Sequence, residues 1–147
     1  MRLEPLYRVR FTYPDEWEVM LTGELGTESQ HFFLAEGHCE GRITGRFRAA
    51  NAPRRRTDRT YMPNFHGVIE TEDGATILFE YHGYGRAYPV GRRQWLVAAT
   101  HLSDASGYTW LNDGICIGTG EVRVQPDGTL TQLVLGVSEV IWEPIAE

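Results

Sequence analysis

Two pairs of ionisable residues stand out for the chemistry that their spacing permits. His66 and Glu70 lie four residues apart in one alternating run, and Glu80 and His82 lie two apart in the next. Residues an even number apart in an extended chain share a face, so each pair offers an imidazole and a carboxylate to one side of a strand. In a partly apolar cavity, burial would shift such groups toward neutral pH and suit them to general acid and base work. Glu70 and His66 are therefore the candidate catalytic pair, and Glu80 and His82 are candidate ligand-binding residues. The alternative is that all four sit on the wetted side of a half-exposed sheet.

Other constellations carry less chemistry. Five histidines invite a metal site, but no HxH pair occurs, and His38-Cys39-Glu40 lacks a third ligand at a recognisable spacing, so no metal is expected. No serine lies in GxSxG or SxxK, and neither Cys39 nor Cys116 has the surroundings of a catalytic thiol. Both cysteines sit among glycine and aliphatic residues, as buried free thiols do. Every basic residue is arginine, so no lysine can form a Schiff base, which excludes pyridoxal and class I aldolase chemistry. Gly83-Tyr84-Gly85 lacks the third glycine and the helix of a dinucleotide fingerprint, and no Walker loop exists. No cofactor is expected.

Charge is unevenly spread. The net charge is -6, yet residues 42 to 59 hold seven arginines against one acid, leaving the remainder strongly acidic. Arg54, Arg55, Arg56 and Arg59 could clamp a carboxylate or phosphate, since guanidinium forks match planar oxyanions, or they could simply be a solvated loop or a patch that meets the acidic part of a second copy. The overall acidity argues against nucleic acid as a partner. No apolar leader or membrane-length segment is evident, so the expected compartment is the cytoplasm, without membrane association.

The elements that must position these residues are strands. Period-two or aromatic-rich runs recur near 3–12, 16–22, 30–34, 38–50, 60–72, 75–83, 94–103, 114–125 and 129–142, and no helical stripe is sustained. The expected fold is one all-β domain of seven to nine antiparallel strands, a barrel, with a two-sheet sandwich as the alternative. Asp73-Gly74 and Asp127-Gly128 suit type I′ hairpin turns. The first would place Glu72 opposite Ala75, His66 opposite Tyr81 and Gly67 opposite Glu80. The second would set Val122, Gly120 and Gly118 against Leu133, Leu135 and Val137, so that glycines face large residues at a barrel corner or cavity wall. Between these hairpins, Tyr108-Thr109-Trp110-Leu111-Asn112-Asp113 could line a barrel mouth or form a turn pinned by Trp110.

Gly41-Arg42, the hairpin from Gly67 to Ala75, and Tyr108 to Asn112 ahead of Gly118-Thr119-Gly120-Glu121-Val122-Arg123 together resemble the domain of unknown function 3237 family, from about residue 38 to 140. The resemblance implies a single small barrel, similar to lipocalin-like and allene-oxide-cyclase-like barrels, with no reaction attached. It also implies that Arg42, Glu70, Tyr108, Trp110 and Asn112 are candidates for a shared pocket. The Arg54 to Arg59 insertion and His66 depart from the pattern of many members.

The leading functional expectation is a barrel that binds an apolar metabolite bearing an anionic or carbonyl group and that acts, if it is an enzyme, by cofactor-free proton transfer as an isomerase, cyclase or dehydratase. The rival is a non-catalytic module that pairs with itself, as a homodimer or higher homo-oligomer, or with another partner through an edge strand or the arginine loop.

Overall fold

A computed structural model describes residues 1–87, 93–124, 126–127 and 129–147. Among the described residues it shows one antiparallel sheet instead of two packed sheets, with ten strands where seven to nine are expected, because residues 54–62 add two short strands. In chain order these are β1 (Arg2–Gly23), β2 (Gly26–Gly41), β3 (Gly45–Asn51), the short β4 (Arg54–Arg55) and β5 (Tyr61–Met62), β6 (Asn64–Thr71), β7 (Thr76–Ala87), β8 (Arg93–Leu102), β9 (Cys116–Val124) and β10 (Leu130–Ile141). The eight longer strands pair in sequence, and β10 pairs back to β1. The result is a barrel-like wall. Among the described residues a single turn of 3₁₀ helix, Thr109–Leu111, is the one helical element, and no helix is long and apolar enough to cross a membrane.

Strand boundaries differ from the sequence reading for identifiable reasons. Runs 3–12 and 16–22 are one strand, because Pro14 falls where the β1–β2 register shifts between Thr12 and Asp15 and no ladder bond is asked of it. Run 38–50 is instead two strands. Gly41, at φ +142°, turns the chain, and Gly37 then lies opposite Phe47 and Cys39 opposite Gly45. The alternation survives this turn. Cys39, Ile43, Phe47 and Ala49 are buried, while Arg42, Arg46 and Arg48 face outward, the last two paired with Glu36 and Glu70.

The inward faces of all eight long strands supply one core in aromatic layers. Phe11 stacks on Trp95 with ring centroids 6.1 Å apart, Phe47 on Phe79 at 5.0 Å, and Phe79 on Tyr81 at 4.5 Å. Leu111, carried by the 3₁₀ turn, plugs one end and is buried. The interior is filled by side chains through most of its length.

The second expected hairpin register is the observed one: Val122 faces Leu133, Gly120 faces Leu135 and Gly118 faces Val137. Gly128 of its turn lies outside the described residues. The glycines are where large side chains close in. A Cβ on Gly120 would lie 2.8 Å from Trp95 and 3.0 Å from Leu135, so these positions are filled corners. The first hairpin register is corrected by one residue. Ile69 faces Ile77 and Glu70 faces Thr76, because the loop has three residues, 72–74, closed by Thr71 N–H donating to the Ala75 carbonyl at 2.9 Å. Thr71 Oγ1 accepts from Ala75 N and donates to Asp73, and Gly74 at φ +87° completes a type I turn with a bulge in place of type I′. A one-residue slip moves every side chain to the other face.

Gly120→Ala is expected to lower stability by about 1–3 kcal/mol through overpacking against Trp95 and the β10 backbone. Urea denaturation checks this, and an unchanged midpoint would mean that the corner has slack.

Candidate functional site

The corrected register decides where the candidate acid–base residues lie. Phe65, Gly67, Ile69 and Thr71 point inward with Ile77, Phe79 and Tyr81, so His66, Glu70, Glu80 and His82 are all on the outer wall. There the structure brings three of them together. His66 Nδ1 is 3.0 Å from Glu80, and His82 Nε2 is 4.0 Å from the other oxygen of the same carboxylate. Glu70 stands apart, paired with Arg48.

The remaining sequence candidates gather at the plugged end. Arg42 lies over the Trp110 ring, 4.5 Å from its centroid, and bonds Glu139 at 3.2 Å. Tyr108 donates to Asp73, whose carboxyl is held below its usual range by the Thr71 and Tyr108 hydroxyls. Asn112 accepts from Ser103 N and donates to Ser103 O, and Trp110 Nε1 donates to Gly107 O. These bonds position Leu111 as the plug.

At the opposite end the barrel-like wall opens into a cavity of about 220 Å³ beneath the β4–β5 loop. Its residues continue the inward phase of strands whose lower portions build the core. Tyr13 follows Val9 and Phe11, Asn51 follows Phe47 and Ala49, and Arg93 precedes Trp95 and Val97. That signal is present in the alternation, but a polar residue at a strand end reads as the start of a loop. Trp95, Leu133, Val122 and Phe33 form the apolar surfaces. Phe33 stacks between Tyr13 at 4.4 Å and His31 at 5.6 Å, and Glu16 stands at the rim.

The polar groups are fixed. Asn51, buried, accepts from Asn64 N at 3.0 Å and donates through Nδ2 to Tyr13 Oη at 2.9 Å. Tyr13 therefore receives one hydrogen bond and has no acceptor for its own proton among the described residues, which leaves that proton available to the cavity. Burial pushes the Tyr13 phenol well above its usual range, opposed by the Asn51 bond and by the positive charge of Arg93. Arg93 lies over the Tyr61 ring at 4.5 Å, and Arg55 approaches the same ring at 5.4 Å. Part of the arginine segment thus overhangs the opening. Arg56 is engaged by Asp58, whose carboxyl is held well below its usual range by that guanidinium and by Thr60 N–H.

A second polar cluster is sealed in the core. Tyr7 Oη is 2.5 Å from Tyr81 Oη and 2.9 Å from His101 Nε2, and burial raises both phenols well above their usual range. His101 is buried with no partner at Nδ1 among the described residues, and burial lowers its pKa to about 4. Cys39 and Cys116 are buried free thiols, pushed by burial to about 12 and about 11, so neither is a nucleophile near neutral pH.

His101 gives a prediction with a definite sign. Its folded pKa lies below the unfolded value, so the unfolded chain takes up the proton first as pH falls. Stability should fall between about pH 6.5 and pH 4, by on the order of 3 kcal/mol. Chemical denaturation across that window should show this slope in the wild type and a reduced one in His101→Gln.

A family model described as protein of unknown function, DUF3237, matches residues 1–140. The chain is similar to the crystal structure of a β-barrel-like protein from Acinetobacter baumannii, with a TM-score of 0.78 and 18% identity over 94% of each chain. It is similar to a conserved protein of unknown function from Rhodopseudomonas palustris, with a TM-score of 0.74 and 18% identity over 96% of this chain and 99% of that one. A structure described as an enzyme from Penicillium herquei aligns with a TM-score of 0.63 and 21% identity over 92% and 93%. No curated protein matches.

Proposed function

The chain belongs to the DUF3237 family of proteins of unknown function, and from the cavity beneath the β4–β5 loop we propose that it is a closed barrel whose mouth binds a small apolar metabolite bearing a carbonyl or anionic group. The observation that carries this reading is the pairing of Tyr13, its acceptor side occupied by Asn51, with Arg93 above an apolar floor. A hydroxyl donor and a guanidinium converging on one space suit an oxygen that is, or becomes, negatively charged. About 220 Å³ suits roughly one or two aromatic rings, since a dry cavity of about 150 Å³ holds benzene. If turnover accompanies binding, Tyr13 and Arg93 would stabilise an enolate, and Glu16 or His31 at the rim would move the proton; isomerisation, cyclisation and dehydration share that step.

An aromatic anion of two rings, 2-naphthoate, tests the site. Binding at micromolar concentration by calorimetry is expected, weakened about tenfold or more by Arg93→Ala and several-fold by Tyr13→Phe. Binding that is indifferent to both substitutions would defeat the reading.

A second reading, self-association, is favoured by a separate observation. Beyond Val19 and Gln30, the last point at which β2 bonds a further strand, β1 and β2 continue as a two-stranded arm, and along it and its base Trp17, Val19, Leu21 and Phe32 are exposed on one face. Such a ribbon is marginal alone. Residues 11–41 carry acids and no arginine, whereas the next segment is arginine-rich, so the arm of one copy is complementary in charge to the loop of another. Sedimentation should show a dimer that dissociates in Trp17→Glu and weakens with salt; a monomer at micromolar concentration in low salt would remove this reading.

A further inference from the structure

On the outer wall, away from the mouth cavity, we propose that His66, Glu80 and His82 bind a divalent transition-metal ion, with zinc as the natural occupant. His66 lies directly across the ladder from Glu80, and His82 follows Glu80 by two residues on the same face. One donor atom from each comes within 4.8 Å of the others. The two oxygens of Glu80 are divided between the imidazoles, at 3.0 Å to His66 Nδ1 and 4.0 Å to His82 Nε2, and the two rings stand edge to face, 5.7 Å apart. Metal bonds near 2.0–2.2 Å require the donors to close by about an ångström, which exposed side chains achieve by rotation without moving the backbone.

A second observation concerns the far side of the His66 ring. Its Nε2 is 3.0 Å from Asn64 Oδ1, a carbonyl oxygen that can only accept, so the Nε2 proton is fixed there. Nδ1 is then the nitrogen turned toward Glu80, 3.0 Å away. A histidine held by an outer carbonyl while its other nitrogen faces a carboxylate is the arrangement of a metal ligand with its supporting shell.

The surroundings leave the site open. His66 and His82 are flanked across the sheet by Ala50 and Ala98, and Glu80 by Thr100. On the same face Arg48 is paired with Glu70, and Arg54 lines the groove that Asn64 and His82 also line. Two imidazoles and one carboxylate would supply three ligands and leave further positions to water or a substrate, a donor set suited to zinc, copper, nickel or iron more than to calcium or magnesium. The site does not depend on the mouth reading.

Titration of tag-free protein with zinc chloride near pH 7.5 should give one site of micromolar affinity. His66→Ala and His82→Ala should each weaken it tenfold or more, Glu80→Gln comparably, and Asn64→Ala about tenfold through loss of the outer bond. Cobalt should give the visible absorption of a four- or five-coordinate ion, lost in His82→Ala. His66, Glu80 and His82 are exposed and Asn64 is half-buried, and circular dichroism checks that the fold is kept in all four variants. Wild-type affinity weaker than millimolar, or unchanged binding in both histidine variants, would overturn the proposal.

Discussion

Strand β1 has to serve two ladders. Its first half pairs with β10 and its second with β2, with both partners engaged between Tyr7 and Phe11. That overlap brings the first and last strands of the chain side by side in the same sheet and gives each of them a partner. Because β1 outruns β10, its remaining length and that of β2 extend past the wall as the arm. Tyr13, Glu16, His31 and Phe33 at the base of that arm then overlook the cavity. The position of the mouth is thus a consequence of how far one strand is paired on each side.

Filling the interior has a second consequence. The inward aromatic residues occupy the space that a larger barrel would leave for a ligand, so open space is left at the ends and on the outer surface. One end is stopped by Leu111, held by Asn112 and Ser103. Residues that the family resemblance suggested as a pocket, Tyr108, Trp110 and Asn112, are bonded into that stopper. The other end keeps its polar groups in the inward phase, each with a partner that fixes its direction. The buried Tyr7, Tyr81 and His101 cluster contrasts with this: it is enclosed by the core, and its protonation is coupled to folding.

The hairpin between β6 and β7 shows how much can turn on a single bond. Thr71 Oγ1 takes the Ala75 amide, and the loop closes with three residues where Asp-Gly alone suggests two. Under the two-residue register His66 and Glu80 would lie on opposite faces of the sheet. Under the observed one they are direct neighbours, and a cluster of three possible metal ligands appears.

The amino-acid sequence by itself determined the strand content, the free buried cysteines, the β9–β10 register and family membership, because each is set by local periodicity or by residue type. Only the tertiary structure decided that the first hairpin takes a bulged loop, that the 38–50 run folds back on itself, and that Tyr13, Asn51 and Arg93 meet at one mouth. Those outcomes depend on hydrogen bonds and contacts between strands far apart in the chain. An alternating pattern fixes which residues share a face, but the partner strand fixes which of them touch.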